Sequence, residues 1–212
     1  MSRWFCNGQP IDRVAIDDRA LQYGDGLFET VAIRNGQPRL WDFHLDRLET
    51  GCKRLGLKRV ARAALRELLE QGIGSGERRA ADATVKLVLS AGQSERDFGR
   101  AMPSETTVYI GIFAAAEVEE ERYRDGVDAV LCDTRLALYS ATAGCKTLNR
   151  LEQVLARSEV VAQGAFEGLT LDAEGRVICG TMSNVFTITK SSIATPSLER
   201  CGVAGVMRRH VM

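Results

Sequence analysis

The chain has 212 residues, 45% hydrophobic and 26% charged, with 28 Lys and Arg against 28 Asp and Glu and a pI near 6.7. That length buries a substantial core in one or two domains. The even charge balance offers no field to gather nucleic acid or anionic membrane, and nowhere do about eighteen apolar residues stand together, so a small-molecule partner is expected.

The first residues, Met1 to Phe5, lack the apolar run of a signal peptide. Six cysteines (Cys6, Cys52, Cys132, Cys145, Cys179 and Cys201) are scattered without a C-x-x-C pair or a histidine at metal-ligand spacing. They read as reduced thiols in a cytoplasmic protein without a metal site.

In chain order, Trp4 to Val14 reads as short strands around a turn at Asn7-Gly8. Leu27 to Arg34 has strand character, and Asn35-Gly36 is a second hairpin turn. Pro38 to Leu40 then leads into a helix on which Leu45, Leu48, Cys52 and Leu55 recur at helical spacing. A second helix spans Ala61 to Gln71 and is expected to break over Gly72 to Gly76. Strands follow at Thr84 to Ser90 and Thr107 to Phe113, with the polar stretch Ala91 to Glu105 as a loop over a site.

The composition shifts at Ala114 to Arg124, where a linker is expected, dividing the chain into domains 1–115 and 116–212. Beyond it come a strand at Val127 to Thr134, a helix at Asn149 to Gln163, and strands at Leu169 to Leu171, Val177 to Cys179 and Val185 to Thr189. Pro196 to Arg200 forms a loop. Gly202 to Met212 opens a helix that the chain leaves without a stop signal, so the second domain is expected to be truncated at its C-terminus.

The chemistry is sought first among five lysines. Lys53 and Lys58 lie on or just beyond a charged helix face, Lys190 at a polar strand end, and Lys86 reads as an outward strand residue between Val85 and Leu87. Lys146 differs. The small or uncharged residues Thr142-Ala143-Gly144-Cys145 before it and Thr147-Leu148-Asn149 after it would admit a ligand and partly desolvate the amine, which makes a nucleophile. Taken alone, the segment fits a solvated lysine ahead of a helix N-terminus better.

Three segments shift that balance: Tyr23-Gly24-Asp25-Gly26-Leu27-Phe28-Glu29-Thr30, His44-Leu45-Asp46-Arg47-Leu48, and Lys146-Thr147-Leu148-Asn149-Arg150-Leu151-Glu152-Gln153. In order and spacing they resemble the fold type IV pyridoxal-phosphate enzymes. The lysine segment is similar to the aminodeoxychorismate lyase branch of that family rather than to its branched-chain or D-amino acid aminotransferases.

The resemblance implies an α+β fold with a small N-terminal α/β sandwich domain and a larger C-terminal, barrel-like, pyridoxal-phosphate-binding α/β domain, assembled as a homodimer. It implies that Lys146 carries pyridoxal 5'-phosphate as a Schiff base and returns as the base that takes a proton. Arg47, on the helix face away from its leucines, would hold the cofactor phosphate. Val206 and Met207, in Gly205-Val206-Met207-Arg208, would meet the same phosphate with backbone amides. Asn184 matches an asparagine following a cofactor-contacting strand, though a turn side chain bonding its own backbone is the plainer reading. Thr30 is a candidate catalytic hydroxyl, and Tyr23 and Arg96 are candidates for the substrate.

The reaction implied is the conversion of 4-amino-4-deoxychorismate to 4-aminobenzoate and pyruvate, with a fold type IV aminotransferase or a non-catalytic relative as alternatives. The sequence departs from the family pattern in two places within the site. Cys179 stands where a glutamate usually pairs with the cofactor's ring nitrogen. Ser90-Ala91-Gly92 replaces Ser-Arg-Gly, with Arg96 and Arg100 as possible substitutes for binding substrate carboxylates.

Overall fold

A computed structural model describes residues 3–74, 81–100, 102–117, 119–138 and 140–212. The chain divides into two compact units, Met1–Glu117 with Lys146–Asn149, and Val118–Cys145 with Arg150–Met212. Each is mixed α and β.

The first unit runs β1 (Arg3–Cys6), β2 (Gln9–Ile11), α1 (Arg19–Tyr23), β3 (Gly26–Arg34), β4 (Gln37–Pro38), α2 (Trp41–Leu55), α3 (Arg62–Gly74), β5 (Ala83–Ser90) and β6 (Thr107–Phe113). Its six strands form one antiparallel sheet in the order β2-β1-β6-β5-β3-β4. Strand alternation sends Leu27, Glu29, Val31 and Ile33 of β3 to the face that α2 covers, together with Val85, Leu87 and Leu89 of β5, and all seven are buried. Leu45, Leu48 and Cys52 of α2 are buried with them, each such leucine contributing about 2 kcal/mol. Phe28, Thr30, Lys86 and Val88 stand on the opposite face.

Helix α1 was not anticipated from the sequence, because five residues are too few to show a periodicity. It forms because Asp18 accepts from the Ala20 amide at 2.8 Å and Gly24 closes the other end in the left-handed conformation. The helix ends within the expected break of Gly72 to Gly76, three residues later than the expected Gln71. Gly72 lets α3 lie close to Ile110 and Ile112, and the helix continues to Gly74. Ser75 and Gly76 lie outside the described residues, as do Ala101 of the expected loop and Val118 of the expected linker.

The second unit contains α4 (Glu120–Asp125), β7 (Ala129–Leu136), α5 (Leu151–Ala162), β8 (Glu167–Asp172), β9 (Val177–Gly180), β10 (Thr187–Ile188), β11 (Ile193–Ala194) and α6 (Val206–Val211). Part of the expected linker is thus the helix α4. Strands β7 and β8 are parallel with α5 as their crossover, and β9 returns antiparallel to β8. Ala156 and Val160 of α5 bury against Cys132. Leu136, Ile178, Cys179, Leu198 and Cys201 form a second apolar cluster.

Of the strand expected over Val185 to Thr189, only β10 forms, and it pairs with β11, which the sequence did not reveal. The last helix starts at Val206 rather than Gly202, because Gly202 takes a φ of +79° and Gly205 is the N-cap. The first unit holds more of this chain than the second, and among the described residues the second unit's strands form a sheet of three and a separate pair.

Candidate functional site

The lysine segment is held by the backbone of β3. The Phe28 amide donates to the Lys146 carbonyl at 2.9 Å, and the Leu148 amide donates to the Gly26 carbonyl at 3.0 Å. Leu27 and Thr147 face each other as an isolated antiparallel bridge, and Asn149 Nδ2 donates to the Gly24 carbonyl at 3.0 Å. Residues 146–149 therefore act as a short added strand along the start of β3. Gly26 is required for this approach: a Cβ there would lie 2.2 Å from the Leu89 carbonyl oxygen and 2.7 Å from Leu148 Cδ1.

The seating delivers Lys146 to the sheet face opposite the one that α2 covers. Its Nζ lies 4.3 Å from the centroid of the Phe28 ring, and the side chain is half-buried. An ammonium over an aromatic face is stabilised by the ring quadrupole while remaining partly desolvated. Lys86 reaches the same ring, with Nζ 5.1 Å from its centroid. Thr30 is exposed directly across from Lys86 in the β3–β5 register.

Behind this face is a buried charge cluster that sequence reading passed over. Glu29, only 2% exposed, accepts from His44 Nδ1 at 2.7 Å and from Arg47 Nε at 2.8 Å, with Arg47 Nη2 closer still. Burial pushes the Glu29 carboxyl up, but the hydrogen bonds from Arg47 and His44 outweigh it and hold the group below its ordinary value. Arg47 thus does not stand on the helix face away from the leucines. It shares one side of α2 with His44, three residues earlier, and turns toward β3. The spacing of His44 and Arg47 was the available signal. Nothing in the Phe28-Glu29-Thr30 string itself announces a buried carboxylate.

The loop after β5 is tied to α1. Asp18 is fully buried and accepts from Ser90 Oγ and the Tyr109 hydroxyl, each at 2.6 Å. Burial and the Asp18 carboxylate together push the Tyr109 hydroxyl well above its usual value. Asp25 pairs with Arg19 and Arg100, each at 2.9 Å, and Arg100 also donates to the carbonyls of Leu55 and Gly56. Arg100 is therefore occupied in closing the loop rather than standing ready for a substrate. Arg96 is exposed on that loop. Tyr23 lies under the Arg19 guanidinium, 4.9 Å from it, and 5.3 Å from the ring of Phe98.

In the second unit Cys179 is buried in β9, 3.4 Å from Thr170 Oγ1, and burial pushes its thiol up, leaving it neutral near pH 7. Asn184 Nδ2 donates to the Val203 carbonyl at 3.0 Å, and its Oδ1 lies 1.8 Å from where a Cβ on Gly205 would be. It is a clamp on the turn ahead of α6 rather than a side chain bonding its own strand end. The first amides of α6, those of Val206 and Met207, have no acceptor within the helix, and its first turn carries no acidic residue.

A family described as amino-transferase class IV matches residues 26–212. The chain is 32% identical over 209 residues to an aminodeoxychorismate lyase of Vibrio harveyi, covering 99% of this chain and 76% of that one. It is 28% identical to a D-alanine aminotransferase of Bacillus licheniformis, covering 97% and 72% of the respective chains. Among solved structures, a 4-amino-4-deoxychorismate lyase from Pseudomonas aeruginosa superposes with a TM-score of 0.89 at 39% identity, over 98% of this chain and 75% of its own.

Proposed function

The chain belongs to the amino-transferase class IV family, and from that premise we propose that it is a pyridoxal-phosphate-dependent lyase converting 4-amino-4-deoxychorismate to 4-aminobenzoate and pyruvate. The observation that carries this reading is the seating of Lys146 over Phe28 by paired backbone, which fixes a single amine on a rigid sheet. Support for the lyase over its relatives comes from the 39% identity to the Pseudomonas structure and from the segment Lys146 to Gln153.

The donor types present are those that pyridoxal 5'-phosphate requires, with one exception. Lys146 would hold it covalently through its amine. In the second unit the amides of Val206 and Met207 are proposed for its phosphate, with Asn184 keeping the turn to α6 in shape; Arg47, which the family resemblance assigns to the phosphate, is in the first unit paired with Glu29. Cys179 is the exception, since a neutral thiol cannot balance a cationic ring nitrogen as a carboxylate does. When bound, the cofactor supplies an electron sink for the charge left as a proton departs.

Lys146 has two tasks. Its amine would anchor the cofactor, and its Nζ would take the proton from the carbon bearing the substrate nitrogen. Phe28 excludes water from one side of that nitrogen. Thr30 offers an exposed hydroxyl on the same sheet face, able to hold or pass a proton. Tyr23 and Arg96 border the loop side and are proposed to touch substrate.

A cytoplasmic site of action is proposed on the six unpaired cysteines, five of them buried, and a homodimer on the family resemblance. No helix among the described residues is long and apolar enough to cross a membrane.

The test is visible absorption with added pyridoxal phosphate, borohydride trapping and peptide mapping, followed by assay of product. A label on Lys146 with release of pyruvate and 4-aminobenzoate is expected. Amino transfer from D-alanine without pyruvate release from aminodeoxychorismate would favour the aminotransferase reading suggested by the Bacillus relative. No adduct at all would mean a non-catalytic relative.

A further inference from the structure

Lys86 is the second cation on the Lys146 face. It belongs to β5, an interior strand of the six, bonded on one side to β3 and on the other to β6. It is half-buried, with Nζ 5.1 Å from the Phe28 ring centroid, and it forms no ion pair or hydrogen bond among the described residues. A partly desolvated ammonium facing only an aromatic ring gains less than one facing a carboxylate, so its position favours an incoming anion.

Thr30 is directly opposite Lys86, and cross-strand partners hold their Cβ atoms about 5 Å apart. The Thr30 hydroxyl is likewise unbonded within the described residues. One charged donor and one neutral donor at that separation match the two oxygens of a carboxylate. The other candidates are less suited. Arg100 is consumed by Asp25 and two carbonyls, and Arg96 lies exposed on a loop.

We infer that Lys86 and Thr30 form the carboxylate-binding pair of this enzyme, docking the substrate against the Phe28 ring that also carries Lys146. The inference rests on the lyase reading, whose substrate has two carboxylates, one retained in 4-aminobenzoate and one in pyruvate. Lys86 is a binding group here, not a proton carrier.

The test uses the full chain loaded with pyridoxal phosphate, as wild type, Lys86→Met, Lys86→Arg and Thr30→Val. Lys86→Met should raise KM about tenfold or more while kcat changes little, and Lys86→Arg should recover most of that loss. Thr30→Val should raise KM by a smaller factor, about threefold. Calorimetry with 4-aminobenzoate, its uncharged amide and pyruvate identifies which carboxylate is held. The acid that loses affinity in Lys86→Met, while the amide does not, is the one bound.

A merely structural lysine would lower the melting temperature and weaken acid and amide equally, which would overturn the inference. Should Lys86→Met fail to fold, Lys86→Gln carries the same comparison. Wild-type turnover with unchanged KM and acid affinity in the variants rejects the carboxylate pair and leaves the lyase standing. Lost acid affinity in the variants of a protein that releases no pyruvate from aminodeoxychorismate rejects the lyase and leaves the pair.

Discussion

Phe28 and Lys146 are joined twice: the amide of Phe28 donates to the Lys146 carbonyl at 2.9 Å, and the Lys146 ammonium returns over the Phe28 ring at 4.3 Å. The first link is independent of the side chain and the second depends on it. Phe28→Leu should therefore keep the sheet and the cofactor attachment but release the amine from its aromatic partner. Turnover should drop about threefold to tenfold, the range of a partly desolvated cation–π contact. An unchanged kcat would mean that the ring only fills space.

Lys146→Ala should abolish borohydride-stable incorporation of pyridoxal phosphate and lower turnover by about a thousandfold or more, because one amine is both anchor and base. Circular dichroism should be unchanged. The backbone contacts of residue 146 with β3 do not need the amine.

Asn149→Ala removes the hydrogen bond to the Gly24 carbonyl and should cost about 1 kcal/mol in urea unfolding. Gly26→Ala should be much worse, since the new methyl would sit 2.2 Å from the Leu89 carbonyl oxygen and must push the lysine segment or β5 aside. A stable Gly26→Ala protein with full activity would contradict the proposed seating of Lys146.

Glu29 gives the fold an acid sensitivity. Its folded-state value is held below the unfolded one, so its stabilising contribution is present above the ordinary glutamate range and is lost as pH falls through the lower, folded value. Urea midpoints followed from about pH 7 to about pH 3 should fall more steeply in wild type than in Glu29→Gln. At neutral pH the variant should be less stable by about 3 kcal/mol, because Arg47 and His44 lose a buried carboxylate. Parallel pH curves would refute this.

Cys179→Glu restores the carboxylate usual in the family at a position packed by Ile178, Leu198 and Cys201. The larger, charged side chain should lower the melting temperature, while Arg150, which burial holds below its ordinary value, offers it a nearby positive charge. Turnover with bound cofactor should rise. A lower rate with the cofactor still bound would show a site adapted to the thiol.

Much of the site was legible because its chemistry lies in contiguous strings. Lys146 stands out among small neighbours, whereas the glycines of residues 24–26 read by themselves as any glycine turn. What the strings lacked was the partner across the fold. Lys86 was correctly read as pointing outward from its strand, but periodicity does not say what an outward face meets, and here it meets Phe28. Glu29 looked like an ordinary polar position until α2 supplied His44 and Arg47. The short pair β10 and β11 and the five-residue α1 escaped notice because two to five residues hold too little pattern to outweigh chance.

The excursion of residues 146–149 into the first unit, with both flanks in the second, limits how the protein can be taken apart or assembled. Cleavage near residue 117 frees the six-stranded sheet without its reactive lysine, and a fragment that keeps both must also carry the stretch 118–145 of the second unit. During synthesis the sheet must wait for a segment made well after β6, a long-range pairing that slows folding through loop-closure entropy. Appearance of the lysine–cofactor bond during refolding would thus time the last stage of assembly, not the first.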